Sequence, residues 1–156
     1  MVLSKVYNPP MHVALGADHA GFELKNALKK VLDELGVTYD DLGTSSSDSV
    51  DYPDYAQAVA KGVVDGRFDR GILVCGSGIG MSIAANKVHG IRAAVVTEPE
   101  SARLSRAHND ANIIALGARL TSEAEAATIV RTFLETQFQG GRHADRVAKI
   151  RGLEGD

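Results

Sequence analysis

The chain has no tryptophan, one cysteine and only 5% aromatic residues among its 156 positions. A lone Cys75 excludes an internal disulfide and any C-x-x-C metal or redox pair, so nothing points to an oxidising compartment. No apolar run approaches the roughly 18 residues that cross a bilayer. The first ten residues lack the charged and apolar regions of a secretory signal. There is no basic excess either. Lys and Arg number 17 against 20 Asp and Glu, a net charge of −3, whereas general nucleic-acid binding draws most of its affinity from surplus cations. Five histidines are scattered without zinc-site spacing such as H-E-x-x-H. What is present, 44% hydrophobic and 24% charged residues, has the balance of an ordinary globular protein. The expectation is one cytoplasmic domain over residues 11–156, behind an extended leader, residues 1–10, that ends in Asn8-Pro9-Pro10.

Along the chain, short apolar bursts alternate with amphipathic stretches. His12–Gly16 reads as a buried strand. Residues 21–35 carry Phe22, Leu24, Leu28, Val31, Leu32 and Leu35 at helical spacing, with Lys25, Lys29, Lys30 and Glu34 outside and Gly36 as the stop. Val37–Leu42 is a weaker strand, and the loop Gly43–Val50 leads to a helix near Asp54–Val64. Gly71–Cys75, the most strand-like run, enters a glycine turn and a helix to about Lys87. Ile91–Thr97 predicts a fourth strand, with a helix from Pro99 to His108. Ile113–Gly117 predicts a fifth, with a helix over Ser122–Phe138. A short basic helix, Arg142–Ile150, follows Gly140-Gly141. Five strands alternating with helices imply an α/β fold, a Rossmann-like three-layer α/β/α arrangement on a five-stranded parallel sheet. Ligands bind such sheets beyond the carboxyl ends of the strands.

Several polar residues fall at those ends. Gly76-x-Gly78-x-Gly80 joins a buried strand to a helix, where backbone N–H groups can approach a phosphate or a developing oxyanion. A tight turn with no ligand uses the same glycines. The dinucleotide reading draws on Glu98, about 20 residues after Gly78. Against it, Met81 occupies the third glycine position, and two βα units precede the turn. Cys75 ends its strand beside that helix start, a setting that suits a thiolate base and equally a small buried hydrophobe. Asp18-His19 follows the first strand, either for proton traffic or as a helix cap. His108-Asn109-Asp110 ends a helix, where capping alone also accounts for it. Arg142 and Arg146, four apart, share a helical face suited to bidentate phosphate capture or simply to solvent, and Arg119 adds a cation after the fifth strand. Gly76-Ser77-Gly78 lacks the G-x-S-x-G elbow of a serine hydrolase. The set suits a small phosphorylated substrate undergoing proton transfer.

Six segments in order carry a more specific signal: Gly16-Ala-Asp18-His19-Ala-Gly21-Phe22, Asp51-Tyr52-Pro53, Cys75-Gly-Ser-Gly-Ile-Gly80, Ala84-Ala-Asn86-Lys87, Ser105-Arg-x-His108-Asn109 and Gly140-Gly-Arg142-His-x-x-Arg146. Together they resemble the type B ribose-5-phosphate isomerases, a family that also includes bacterial galactose-6-phosphate isomerase subunits. The resemblance spans about His12 to Arg146. It implies cofactor-free, metal-free aldose–ketose isomerisation of a pentose 5-phosphate through a cis-enediolate. By that similarity Cys75 is the base between C1 and C2, and Ser77, in place of a frequent threonine, shuttles protons between the oxygens. The amides of Gly76, Ser77, Gly78, Ile79 and Gly80 hold the enediolate oxygen. His108 opens the furanose ring, Asp18 and His19 bind and orient the sugar, and Tyr52 lies nearby. Arg142, Arg146, Arg119 and Asn109 hold phosphate and hydroxyls. The resemblance also implies a homodimer or larger assembly with the site shared across the interface, and His108, Asn109 and Arg119 supplied by the neighbour. A branch of the family uses a carboxylate just after the glycine loop instead of the cysteine. Met81 stands there in this chain, which agrees with Cys75 as base. The alternatives are a six-carbon sugar phosphate isomerase, for allose or galactose 6-phosphate, and a non-catalytic nucleotide- or phosphate-binding module.

Overall fold

The computed structural model describes residues 11–155, so the leader expected over residues 1–10 lies outside the described residues. Five strands run in chain order as β1 (His12–Ala17), β2 (Thr38–Asp41), β3 (Arg70–Cys75), β4 (Ala93–Val95) and β5 (Ile113–Gly117). They form one parallel sheet in the order β2-β1-β3-β5-β4. The helices between and after them are α1 (Phe22–Leu35), α2 (Tyr52–Val64), α3 (Ile79–Ala85), α4 (Pro99–Ala107), α5 (Glu123–Glu135) and α6 (Arg142–Gly152). Among the described residues no helix is long and apolar enough to cross a membrane.

The pleat explains the layers. Alternate residues of a strand face opposite ways. On β3, Ile72 and Val74 enter the core under α1, α4 and α5, while Leu73 and Cys75 enter the core under α2 and α3. Phe133, Leu28, Leu32 and Ile129 are fully buried on the first face. Truncating Phe133 to alanine there would cost about 3–5 kcal/mol. Connections that step toward the β4 edge use α2 and α3, and those that step back use α1 and α4, as right-handed crossovers require. Chain direction therefore reverses between β1 and β3, and the loops after these two strands meet at the crevice where ligands bind doubly wound sheets.

Four local expectations are corrected. Lys25, expected outside α1, is 1% exposed. Its ammonium donates to both Asp41 oxygens at 2.9 and 2.8 Å and to the Thr44 carbonyl at 2.7 Å. Strand β4 is much shorter than Ile91–Thr97, because side chains satisfy the backbone before it. Asn112 Oδ1 accepts from the Arg92 N–H, and Asn86 Oδ1 accepts from the Ala93 N–H, both at 2.8 Å. The same Asn86 stops α3 short of Lys87 by also donating to the Ala93 carbonyl. Helix α5 ends at Glu135 rather than Phe138, since Thr136 turns extended and its carbonyl receives Arg106 Nε at 3.3 Å.

Candidate active site

The crevice is built from the ends of β1, β2 and β3. Cys75, the last residue of β3, is 5% exposed. Its sulfur accepts the Gly78 N–H at 3.2 Å, and Ser77 Oγ accepts the Ile79 N–H at 3.3 Å. Gly78 adopts φ 79°, the left-handed conformation that turns the chain from strand into α3. A Cβ there would also come within 2.9 Å of the Leu116 carbonyl carbon. The first-turn N–H groups of α3 that follow have no intrahelical acceptor. Gly80 lets the Tyr52 ring lie across this opening, because a Cβ at that position would sit 2.5 Å from the ring. Met81, where a dinucleotide fingerprint has its third glycine, is fully buried in the core under α2 and α3.

Asp18 and His19 sit beside this loop, after β1. The Asp18 N–H donates to the Val74 carbonyl at 3.3 Å, one residue before Cys75. Its carboxylate, 6% exposed, accepts the Gly21 N–H at 3.1 Å. Helix α1 starts at Phe22 with Gly21 as its N-cap, so neither Asp18 nor His19 is the cap of a helix from Ala20; Asp18 instead closes the turn before the helix, at the mouth of the crevice. His19 Nδ1 accepts the Val50 N–H at 3.2 Å, which leaves Nε2 as the ring's N–H donor in the neutral form. That bond ties His19 to the loop after β2. The other end of the same loop is anchored by the Lys25–Asp41–Thr44 contacts. Burial by itself raises the Asp41 carboxyl, but hydrogen bonds from Lys25, Lys29 and the Gly43 N–H outweigh it and hold it below the ordinary carboxylate range.

Arg119 belongs to this group. Its N–H donates to the Gly76 carbonyl at 3.0 Å, and its guanidinium lies so close that a Cβ on Gly76 would be 3.1 Å from Nη1. The expectation that a neighbouring subunit brings Arg119 to the glycine loop is therefore corrected: the chain's own Arg119 already covers it, because the turn after β5 folds back over its partner strand β3.

The other candidates lie elsewhere. His108 caps the carboxyl end of α4, and α4 runs antiparallel to the sheet. It therefore ends where β5 begins, near Gly71, whose N–H donates to the Asn112 carbonyl at 2.9 Å. Four residue steps of β3, roughly 13 Å at strand rise, separate that end from Cys75. Asn109 lies beside His108. Arg142 and Arg146, exposed on α6, join them through a residue that sequence reasoning did not place in the site: the His143 ring stacks on His108 with centroids 4.2 Å apart and planes 9° from parallel. Loss of water from the His143 ring lowers its affinity for a proton, and the neighbouring charges of His108, Arg142 and Arg146 lower it further. The basic run around Arg142 was the available signal, but a ring stack between helices 35 positions apart leaves no mark on sequence. The candidates thus form two groups at opposite ends of the sheet. Among the described residues, no three His, Cys, Asp or Glu side chains gather as a metal site.

Known proteins align with nearly all of this chain. A model of the Ribose/Galactose Isomerase family matches residues 13–150. Ribose-5-phosphate isomerase B of Escherichia coli is 51% identical over 142 residues, covering 91% of this chain and 95% of that protein. The solved Clostridium thermocellum ribose-5-phosphate isomerase B superposes with a TM-score of 0.91 at 52% identity, covering 92% of this chain and 97% of that one. A Mycoplasma genitalium ribose-5-phosphate isomerase B, solved with bound ribulose-5-phosphate, superposes with a TM-score of 0.88 at 38% identity, over 93% of this chain and 97% of that one. With its doubly wound sheet, its glycine turn after β3 and a match over residues 13–150, the chain belongs to the Ribose/Galactose Isomerase family.

Proposed function

We propose that this chain interconverts D-ribose 5-phosphate and D-ribulose 5-phosphate through a cis-enediolate, without metal or cofactor. Family membership supports the reaction class, and relatives near half identity that are named for ribose 5-phosphate support the substrate. One observation carries the chemistry: the Cys75 sulfur, held by the Gly78 N–H, sits in a glycine turn walled by Tyr52 and Arg119 at the reversal point of the sheet.

A proton alpha to a carbonyl is weakly acidic, so its removal requires a positioned base and stabilisation of the oxyanion that forms. In the aldose-to-ketose direction Cys75 takes the C2 proton as electrons move onto the carbonyl oxygen at C1. The glycine-turn amides face that oxygen. Ser77 relays a proton from the C2 hydroxyl to the C1 oxygen, and Cys75 returns its proton to C1, leaving the ketone at C2. Oxidation at C2 balances reduction at C1, so no external redox partner is needed. Asp18 and His19 orient the sugar hydroxyls. His108 protonates the ring oxygen to open the furanose, and Arg142 and Arg146 hold the phosphate with Asn109. The remote phosphate supplies binding energy that positions the reacting carbon.

Because the two groups stand at opposite ends of the sheet, the reading includes a homodimer or larger assembly in which one copy's Cys75 group meets another copy's His108 group. Exposed apolar side chains around the glycine turn, Ile79, Ile83 and Leu120, each more than half exposed, support it. So does α6, which buries only Val147 within the chain. A second reading, a six-carbon sugar phosphate such as galactose or allose 6-phosphate, is favoured by the galactose half of the family description.

The test is ketose formation from ribose 5-phosphate in EDTA by the wild type and by Cys75→Ala. Wild-type turnover is expected, with a loss of at least about 10³-fold in the variant and retained thermal stabilisation by the substrate. Near-normal turnover in Cys75→Ala removes the thiolate base. A well-folded wild type that ignores ribose 5-phosphate but turns over a six-carbon phosphate establishes the second reading.

A further inference from the structure

The motif around His108 includes Arg106, which has no part in binding or chemistry as described above, and Arg92 lies outside every motif. Both arginines converge on the residues that follow His108. Arg92 Nε donates to the carbonyls of Asn109 and Asp110, each at 3.1 Å, and its Nη2 donates to the Asp110 carbonyl at 2.9 Å and to Oδ2 at 3.3 Å. Arg106 Nη1 donates to Asp110 Oδ1 at 2.8 Å and to the Ala111 carbonyl at 2.7 Å. One carboxylate thus receives one guanidinium on each oxygen. The Arg92 and Arg106 side chains are 11% and 4% exposed.

Asp110 itself has φ 49°, the one positive value at a non-glycine among the described residues. Left-handed backbone is disfavoured for most residues with a Cβ, and aspartate is among the few that adopt it as a single residue. Glycine would meet the backbone requirement with less strain. Aspartate adds the carboxylate that both guanidiniums need. The clamp satisfies the carbonyls beyond the end of α4, and it does so on the two peptide units immediately after His108. On the other side, the His143 ring packs flat against the imidazole.

We propose that Arg92 and Asp110 are positioning residues for His108, locking the turn so that the imidazole meets the sugar ring at a fixed angle. The clamp sets the backbone, and the stack on His143 sets the plane of the ring. This rests on the reading of His108 as the ring-opening acid.

The test is a double-mutant cycle with ribose 5-phosphate as substrate, placing Arg92→Gln on the wild-type and His108→Ala backgrounds. Displacement of an acid by about an ångström costs up to roughly 10²-fold. Arg92→Gln is therefore expected to lower kcat by about 10- to 100-fold on the wild-type background, and by less than about two-fold on His108→Ala. The His108 imidazole resonance should shift or broaden in Arg92→Gln while the Gly76–Gly80 amide signals stay in place. Equal losses on both backgrounds, or no loss on either, would overturn the proposal. Asp110→Asn keeps a residue that tolerates left-handed backbone, and it carries the same cycle if Arg92→Gln does not fold. Full activity of His108→Ala itself would instead overturn the underlying reading of His108, and the clamp's purpose with it.

Discussion

Cys75 and His108 stand at opposite ends of one sheet. Cys75 ends β3 in register with Gly117, while His108 precedes β5, whose first residue, Ile113, is in register with Gly71 at the other end of that strand. A base and an acid acting on one sugar each need hydrogen-bond reach, about 3 Å, to their atoms. On the proposed reading, a second copy related by a two-fold axis supplies the group that one chain places at the far end of its sheet. On that reading the exposed apolar patch beside the glycine turn and the sparsely buried α6 are the surfaces between copies.

The phosphate role of α6 predicts a binding defect rather than a chemical one. Arg146→Ala should raise KM for ribose 5-phosphate by about 10- to 100-fold, the worth of a charge-assisted contact, with kcat within a few-fold of wild type. Unchanged KM with a fall in kcat would take Arg146 off the phosphate.

The stack at His143 predicts a pH signature. Its imidazole should titrate below the ordinary histidine value, followed through its ring protons by NMR, and Arg142→Ala should move the midpoint upward by removing a like charge. The sign for stability follows from linkage. As pH falls below about 6.5 the unfolded chain binds this proton before the native one. The contribution is therefore complete above that value and is lost as pH falls through the native midpoint. A midpoint at or above the ordinary value would contradict the stacked geometry.

Lys25→Met removes a buried ammonium from Asp41 and from the Thr44 carbonyl while Lys29, 2.8 Å from Asp41, remains. Chemical denaturation should show a loss of about 1–3 kcal/mol. Asp41 has a depressed carboxyl, so its contribution is present above about pH 4 and is lost as pH falls through its lower native value. The variant should lose less stability than wild type on acidification. An acid slope equal to that of wild type would show that Lys25 does not hold this carboxylate.

These residues also show what sequence can and cannot carry. The strand ending at Cys75 and its glycine turn are legible because β3 is central and buried on both faces, so its run from Gly71 to Cys75 is apolar, and the turn chemistry is local. The crevice followed from sheet topology, which alternating elements specify. Lys25 was misread as solvent-facing because its partners Asp41 and Thr44 are 16 and 19 positions away. The overlong β4 has a similar origin, since Asn112 and Asn86 replace ladder bonds that the apolar pattern implied. The clamp on Asp110 and the stack of His143 on His108 unite separate segments, and neither periodicity nor turn composition records such meetings. The separation of Cys75 from His108 emerges only when the direction of α4 is known, and the place of Arg119 only when β5 is known to pair with β3.

The central claim is that each catalytic site takes Cys75 from one copy and His108 from another. The most direct measurement is the activity of a doubly tagged heterodimer, purified after co-expression, that pairs one Cys75→Ala chain with one His108→Ala chain. One of its two sites then has both groups intact and the other has neither. The account predicts about half the wild-type turnover per dimer, although each homodimeric parent is nearly inactive. A heterodimer as inactive as its parents would contradict a shared site and place the whole chemistry within one chain.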